Sequence, residues 1–274
     1  MQWRPTRPEA DRHGRRTNAA GIVRRVAEEV VDLRNGSGTP SSGPLPRLRR
    51  TWNFVRATPC ATLLAVQMLG VLLYPALEDQ TGRAGGLGRA VLSVFALLVL
   101  FLAVLAVRRT PALTWISAVL GIPLIVLTIT ESFQPDNDTI SLWSSMLHAV
   151  FYFYTAYGLV RYMFNDDKVT TDELFATGAA FTVLAWGFAY LYNAVQIIWP
   201  VSFTAYLHPD APRTWFELLF LSFTTLTSTG LSDVVPIESQ ARSAVMIEQV
   251  LGLMYVAFIV ARLVGLQIRA VKRR

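Results

Sequence analysis

"APRTWFELLFLSFTTLTSTGLSDVVPIESQ", Ala211 to Gln240, is the stretch that decides the fold. Its apolar run, Trp215 to Leu226, is twelve residues long. As a helix rising about 1.5 Å per residue it covers about 18 Å, too little for a bilayer core of about 30 Å. The stretches on either side are apolar and much longer. A short apolar run between two long ones has to enter and leave on the same side. Non-helical backbone is tolerated at membrane depth only where protein buries it or where it lines water. "TLTSTGLSDVVP", Thr225 to Pro236, with its hydroxyls, one glycine and an aspartate, reads as that returning backbone. Asp210 and Pro212 read as the signal that starts the short helix.

The rest of the chain fits a membrane protein. It has 274 residues, 53% hydrophobic and 16% charged, with a mean hydropathy of +0.39. Soluble domains carry about 25% charged residues. Apolar stretches of spanning length fall at about Ala57–Leu77, Leu87–Val107, Ala112–Thr130, Leu142–Phe164, Leu174–Trp199 and Ala241–Gln267. The expected fold is therefore all-α, with six transmembrane helices and a re-entrant pore helix and loop between the fifth and sixth. Both termini then lie on one side.

Charge orients this arrangement. Twelve of the 25 Lys and Arg residues precede residue 57, all of them arginine. With the termini inside, 21 basic residues are cytoplasmic and 4 are outside, as the positive-inside rule requires. The expected location is the cell membrane, multi-pass, with cytoplasmic termini and lipid as a partner. The arginine-rich tail marks topology, so no nucleic acid is expected. The outer segments carry Glu78, Asp79, Glu131, Asp136, Asp138, Asp210, Asp233 and Glu238, which concentrate cations. The expected parts are a basic tail over 1–56, a four-helix bundle over 57–165 and a pore-forming part over 166–274. Within the tail, Asn18 to about Leu33 reads as a short amphipathic helix or a weakly ordered segment. Asn35 to Pro46 has linker composition. The single cysteine, Cys60, leaves no intramolecular disulfide, and His13, His148 and His208 lack ligand spacing. No cofactor is expected.

The loop's chemistry suits a dehydrated cation, which needs oxygen ligands. Carbonyls of a narrow loop, with a hydroxyl at its inner end, replace a hydration shell. Glycine lets successive carbonyls turn inward. The short helix directs its partly negative C-terminus at the same place. One loop cannot enclose a path, so several copies around an axis are implied.

"SFTTLTSTGLSDVVP", Ser222 to Pro236, resembles the pore loop of tetrameric potassium channels, T-L-T-T-V-G-Y-G-D-x-x-P. The likeness covers about Leu174 to Leu266, and the whole chain resembles prokaryotic six-span members of that superfamily. It implies a homotetrameric pore that passes potassium or other monovalent cations, with a selectivity filter of Thr227, Ser228, Thr229, Gly230, Leu231, Ser232 and Asp233. The permeant ion would be held mainly by backbone carbonyls of Ser228, Thr229, Gly230 and Leu231. Gly252 falls where such channels have a hinge in the pore-lining helix; close packing against the short helix is the other reading. Glu248, an ionisable group inside the last span, is expected either to support the filter near Ser222 or Thr225 or to line the vestibule.

Three departures bear on selectivity. Ser232 replaces the second glycine; a left-handed backbone there would cost about 1–2 kcal/mol per subunit. Leu231 lacks the hydroxyl of tyrosine. A single glycine per loop also resembles Trk/Ktr-type transporters, which carry four loops in one chain where this chain has one. The alternatives are a relative of those transporters or a non-conducting membrane protein that keeps a pore fold. No H-E-x-x-H or paired-acid pattern points to an enzyme. Leu142–Phe164 holds one arginine, Arg161, at its end, so no voltage-sensing ladder is expected there.

Overall fold

The computed structural model describes residues 58–84, 94–95, 98–99, 101–103, 111–134, 137–164 and 171–272. The basic tail, its short helix and linker, and most of the stretch Leu87–Val107 lie outside the described residues. The elements are α1 (Pro59–Ala84), α2 (Pro111–Phe133), α3 (Asp138–Met163), α4 (Thr171–Ile198), β1 (Phe203–Ala205), α5 (Trp215–Leu226), β2 (Val234–Pro236) and α6 (Ser239–Lys272). Residues 94–95, 98–99 and 101–103 are helical.

Three of these helices are long and apolar enough to cross a membrane, over Pro59–Ala76, Asp172–Ile198 and Ser239–Arg262. The fourth expected span, α3, is long enough at 26 residues but less apolar. Its Ser144, Ser145, His148 and Thr155 are buried inside the protein. Thr155 returns its hydroxyl to the Phe151 carbonyl at 2.9 Å, so that polar group is satisfied within the helix. His148 bonds the Ser144 carbonyl through Nδ1 at 2.8 Å and stacks on Tyr190 at 4.3 Å.

Helix α4 is the axis of the structure, packing against α1, α3, α5 and α6. Its inner face is small and close-packed, with Ala176, Ala179, Ala180, Val183, Ala185 and Ala189 all buried. Small residues let helix backbones approach where water supplies no driving force. Helix α6 runs antiparallel along α4, tied at three levels: Glu173 to Arg262 at 3.6 Å, the Thr177 carbonyl to Tyr255 at 2.6 Å, and Tyr192 to Glu248.

The two strands are an addition to the all-helical expectation. Phe203, Thr204 and Ala205 pair with Pro236, Val235 and Val234, and the Ile237 amide continues to the Ser202 carbonyl at 2.9 Å. This ladder joins the segment that precedes α5 to the segment that follows it. A second core, with Tyr192, Phe203, Leu218, Leu221, Val234 and Val245, seals the same end. The end of α4 and the start of α6 therefore lie side by side, with α5 packed between the two helices.

Candidate functional site

Helix α5 covers the twelve apolar residues Trp215–Leu226, but its start lies later than Asp210 and Pro212 suggest. Thr214 is the N-cap, and Thr214 with Glu217 forms a capping box: Glu217 N donates to Thr214 Oγ1 at 3.3 Å and Thr214 N donates to Glu217 Oε2 at 2.7 Å. Two of the amides left over at a helix start are thereby satisfied. Asp210 and Pro212 belong to the loop before it. In that loop the buried Arg213 guanidinium donates to the carbonyls of Leu207 and Ala211, at 3.2 and 3.0 Å, and to that of His208. Gln196 of α4 grips the Arg213 backbone at both groups, its Nε2 on the carbonyl at 2.9 Å and its Oε1 on the amide at 3.0 Å. The start of α5 is thus fixed to the end of α4.

The hydroxyl-rich run ends the helix. Thr227 is the C-cap. Ser228 follows in the left-handed region at φ 57°. Its amide bonds the Thr225 carbonyl at 3.0 Å, and the Thr229 amide bonds the Thr224 carbonyl at 3.0 Å. These two bonds are the Schellman pair, with serine where glycine is usual. The Gly230 amide also turns to Thr224, at 3.2 Å, with φ 65°. Thr227 Oγ1 donates to the Phe223 carbonyl at 2.7 Å and lies 3.0 Å from Thr229 Oγ1. The hydroxyls and amides of the run therefore satisfy the last carbonyls of α5. The carbonyls of Thr227, Ser228, Thr229, Gly230 and Leu231 accept no bond among the described residues. Thr227 to Leu231 are exposed, whereas Thr224–Leu226 before them and Val234 after them are buried.

Ser232 corrects an expectation. The left-handed positions of the loop are Ser228 and Gly230, and Ser232 is not among them. Its Oγ accepts the Val234 amide at 3.1 Å in a short side-chain turn. The steric cost expected at Ser232 is absent there, and the strained non-glycine position is Ser228. Asp233 is exposed at the same turn, just before β2.

Two residues of α6 dock against α5, one turn apart. A Cβ on Gly252 would lie 2.8 Å from the Leu226 Cα and 3.0 Å from its carbonyl carbon, so glycine is required by the close approach of the two backbones. One turn earlier, Glu248 is fully buried and accepts the Ser222 hydroxyl. Its other oxygen accepts the Tyr192 hydroxyl. Thr225 takes part through its carbonyl, in the turn at Ser228. Tyr192, Gln196 and Arg213 were not singled out from sequence. Gln196 has a signal, being an amide in an apolar span; Tyr192 has none, since its partner is 56 residues away.

Residues 174–267 match the model of a protein family described as ion channel. No curated protein and no solved structure matches the chain.

Proposed function

We propose that this chain is the subunit of a cation channel in the cell membrane, with six spans and both termini in the cytoplasm. Four copies surround one pore. Each contributes α5 as a re-entrant helix and Thr227 to Asp233 as filter. Monovalent cations, potassium among them, pass down their gradient. The backbone carbonyls of Ser228, Thr229, Gly230 and Leu231 replace water around them.

One observation carries this reading: between two long apolar helices, within the matched residues 174–267, a capped twelve-residue helix ends in an exposed loop whose carbonyls accept no bond among the described residues. Acceptors left open at the partly negative end of a helix suit a cation and disfavour an anion. The apolar face of α6 supports several copies. Met246, Ile247, Val250, Leu253, Phe258 and Val260 are exposed in the single chain, and a tetramer gives that face pore, lipid and neighbouring subunits to meet. Gly252 acts as the seat of α5 on α6. Bending of α6, if the pore opens that way, then belongs below residue 252. The first four spans form a bundle with no arginine ladder, so opening depends weakly on voltage.

The test is the mass of the detergent-solubilised complex together with potassium efflux from liposomes that contain it. The expected outcome is a four-chain complex and passive, downhill efflux. A monomer or dimer removes the pore. Saturable flux coupled to a second ion marks a transporter, and a tetramer without flux marks a non-conducting relative.

A further inference from the structure

Glu248 is the one side chain at which α4, α5 and α6 all meet through hydrogen bonds among the described residues. Its Oε1 accepts from Ser222 of α5 and its Oε2 from Tyr192 of α4. An acid within an apolar span is held only where protein supplies partners. Both partners are hydroxyls, one on each oxygen of the carboxyl group, and a hydroxyl can donate or accept, so the two bonds hold the group whichever atom carries the proton. The placement along α5 matters as much. Ser222 lies one turn before Leu226, and Leu226 is seated on Gly252. Between these two contacts lie the carbonyls of Thr224 and Thr225, onto which Ser228, Thr229 and Gly230 fold.

Resting on the channel reading, we propose that Tyr192, Glu248 and Ser222 form a three-helix clamp that sets ion discrimination by fixing the depth of α5, and with it the filter. Glu248 is a positioning residue that touches no ion. Tyr192 is the member that brings in the outer helix: it makes the register of α4 against α6 part of the filter's geometry. When the clamp opens, α5 slides on its Gly252 seat, the turn at Thr224–Ser228 loosens, and the open carbonyls spread.

Full-length protein reconstituted in bilayers supplies the test, with two readouts. One is the potassium-to-sodium permeability ratio from reversal potentials. The other is hydrogen exchange at the Thr229 and Gly230 amides, which does not depend on conduction. Tyr192→Phe and Ser222→Ala each remove one clamp bond and are expected to change the ratio and speed that exchange about fivefold, the equilibrium factor of one ordinary hydrogen bond. If the parent conducts and Tyr192→Phe changes neither readout, the clamp is overturned and the channel reading stands. If the parent does not conduct, the channel reading fails and the clamp's part in ion discrimination fails with it; accelerated exchange in Tyr192→Phe then retains only the positioning of the loop, and unchanged exchange removes that too. If Ser222→Ala does not assemble, Tyr192→Phe carries the decision.

Discussion

Replacing Gly252 with alanine sets a methyl group against backbone, where no side chain can swing aside. The new carbon would lie 2.8 Å from the Leu226 Cα and 3.0 Å from its carbonyl carbon. Carbon atoms settle at about 3.5–4.0 Å, so α5 and α6 must part by somewhat under about 1 Å. That separation acts one turn from the Glu248–Ser222 bond and weakens it as well. Overpacking of this kind costs about 1–3 kcal/mol per chain. At about 2 kcal/mol the midpoint of thermal unfolding falls by about 4–8 °C for a chain of this size. The assay is fluorescence-monitored thermal unfolding of the purified complex, with Gly265→Ala as the control. A Cβ at Gly265 meets nothing within 4 Å, so that variant is expected to hold or gain up to about 1 kcal/mol from helix propensity. A Gly252→Ala protein as stable as the parent would refute the seat and return Gly252 to the role of hinge.

Three further outcomes follow from the same geometry. Ser228→Gly relieves a left-handed serine and is expected to leave stability unchanged or raised by about 1 kcal/mol, whereas Ser228→Val places a branched side chain there and lowers it by about 1–3 kcal/mol, both read by thermal unfolding. Gln196→Leu strips both groups of the Arg213 backbone of their partners and is expected to cost about 2–4 kcal/mol, with faster hydrogen exchange at the Arg213 amide. Ser232→Gly relieves no left-handed strain, so its expected effect on the potassium-to-sodium permeability ratio is less than about twofold, near the loss of one weak turn bond; a large gain in potassium preference would place Ser232 back in the filter's strained geometry.

The length of the apolar run made α5 legible: twelve residues permit a helix but not a crossing. Its true start was also written in the chain, as Thr214-x-x-Glu217, and Asp210 and Pro212 drew attention from it by imitating a start signal four residues early. The hydroxyls were legible as belonging to a non-helical turn after α5. What they bond was not, because a Schellman end depends on which residue adopts positive φ, and serine at 228 gives no hint that it would. The resemblance in fact pointed to 232, where glycine is usual. The strand pair was invisible for another reason. Each strand is three residues long, and the partners lie about thirty residues apart, so no local alternation marks them. Glu248 stood out because an acid in an apolar span is rare. Its hydroxyl partners are ordinary residues, chosen by the way three helices come together.

Single-channel recording from purified protein in planar bilayers, parent against Gly230→Ala, tests the central claim most directly. Gly230 has φ 65°, and a Cβ there meets nothing within 4 Å. Alanine is therefore opposed by backbone conformation and not by crowding, at a cost of about 1–2 kcal/mol per chain. The account predicts discrete, cation-selective openings from the parent with potassium on both sides, weakly dependent on voltage, and their loss in Gly230→Ala at equal tetramer recovery. A parent that gives no unitary currents, or a Gly230→Ala variant that conducts as the parent does, contradicts it.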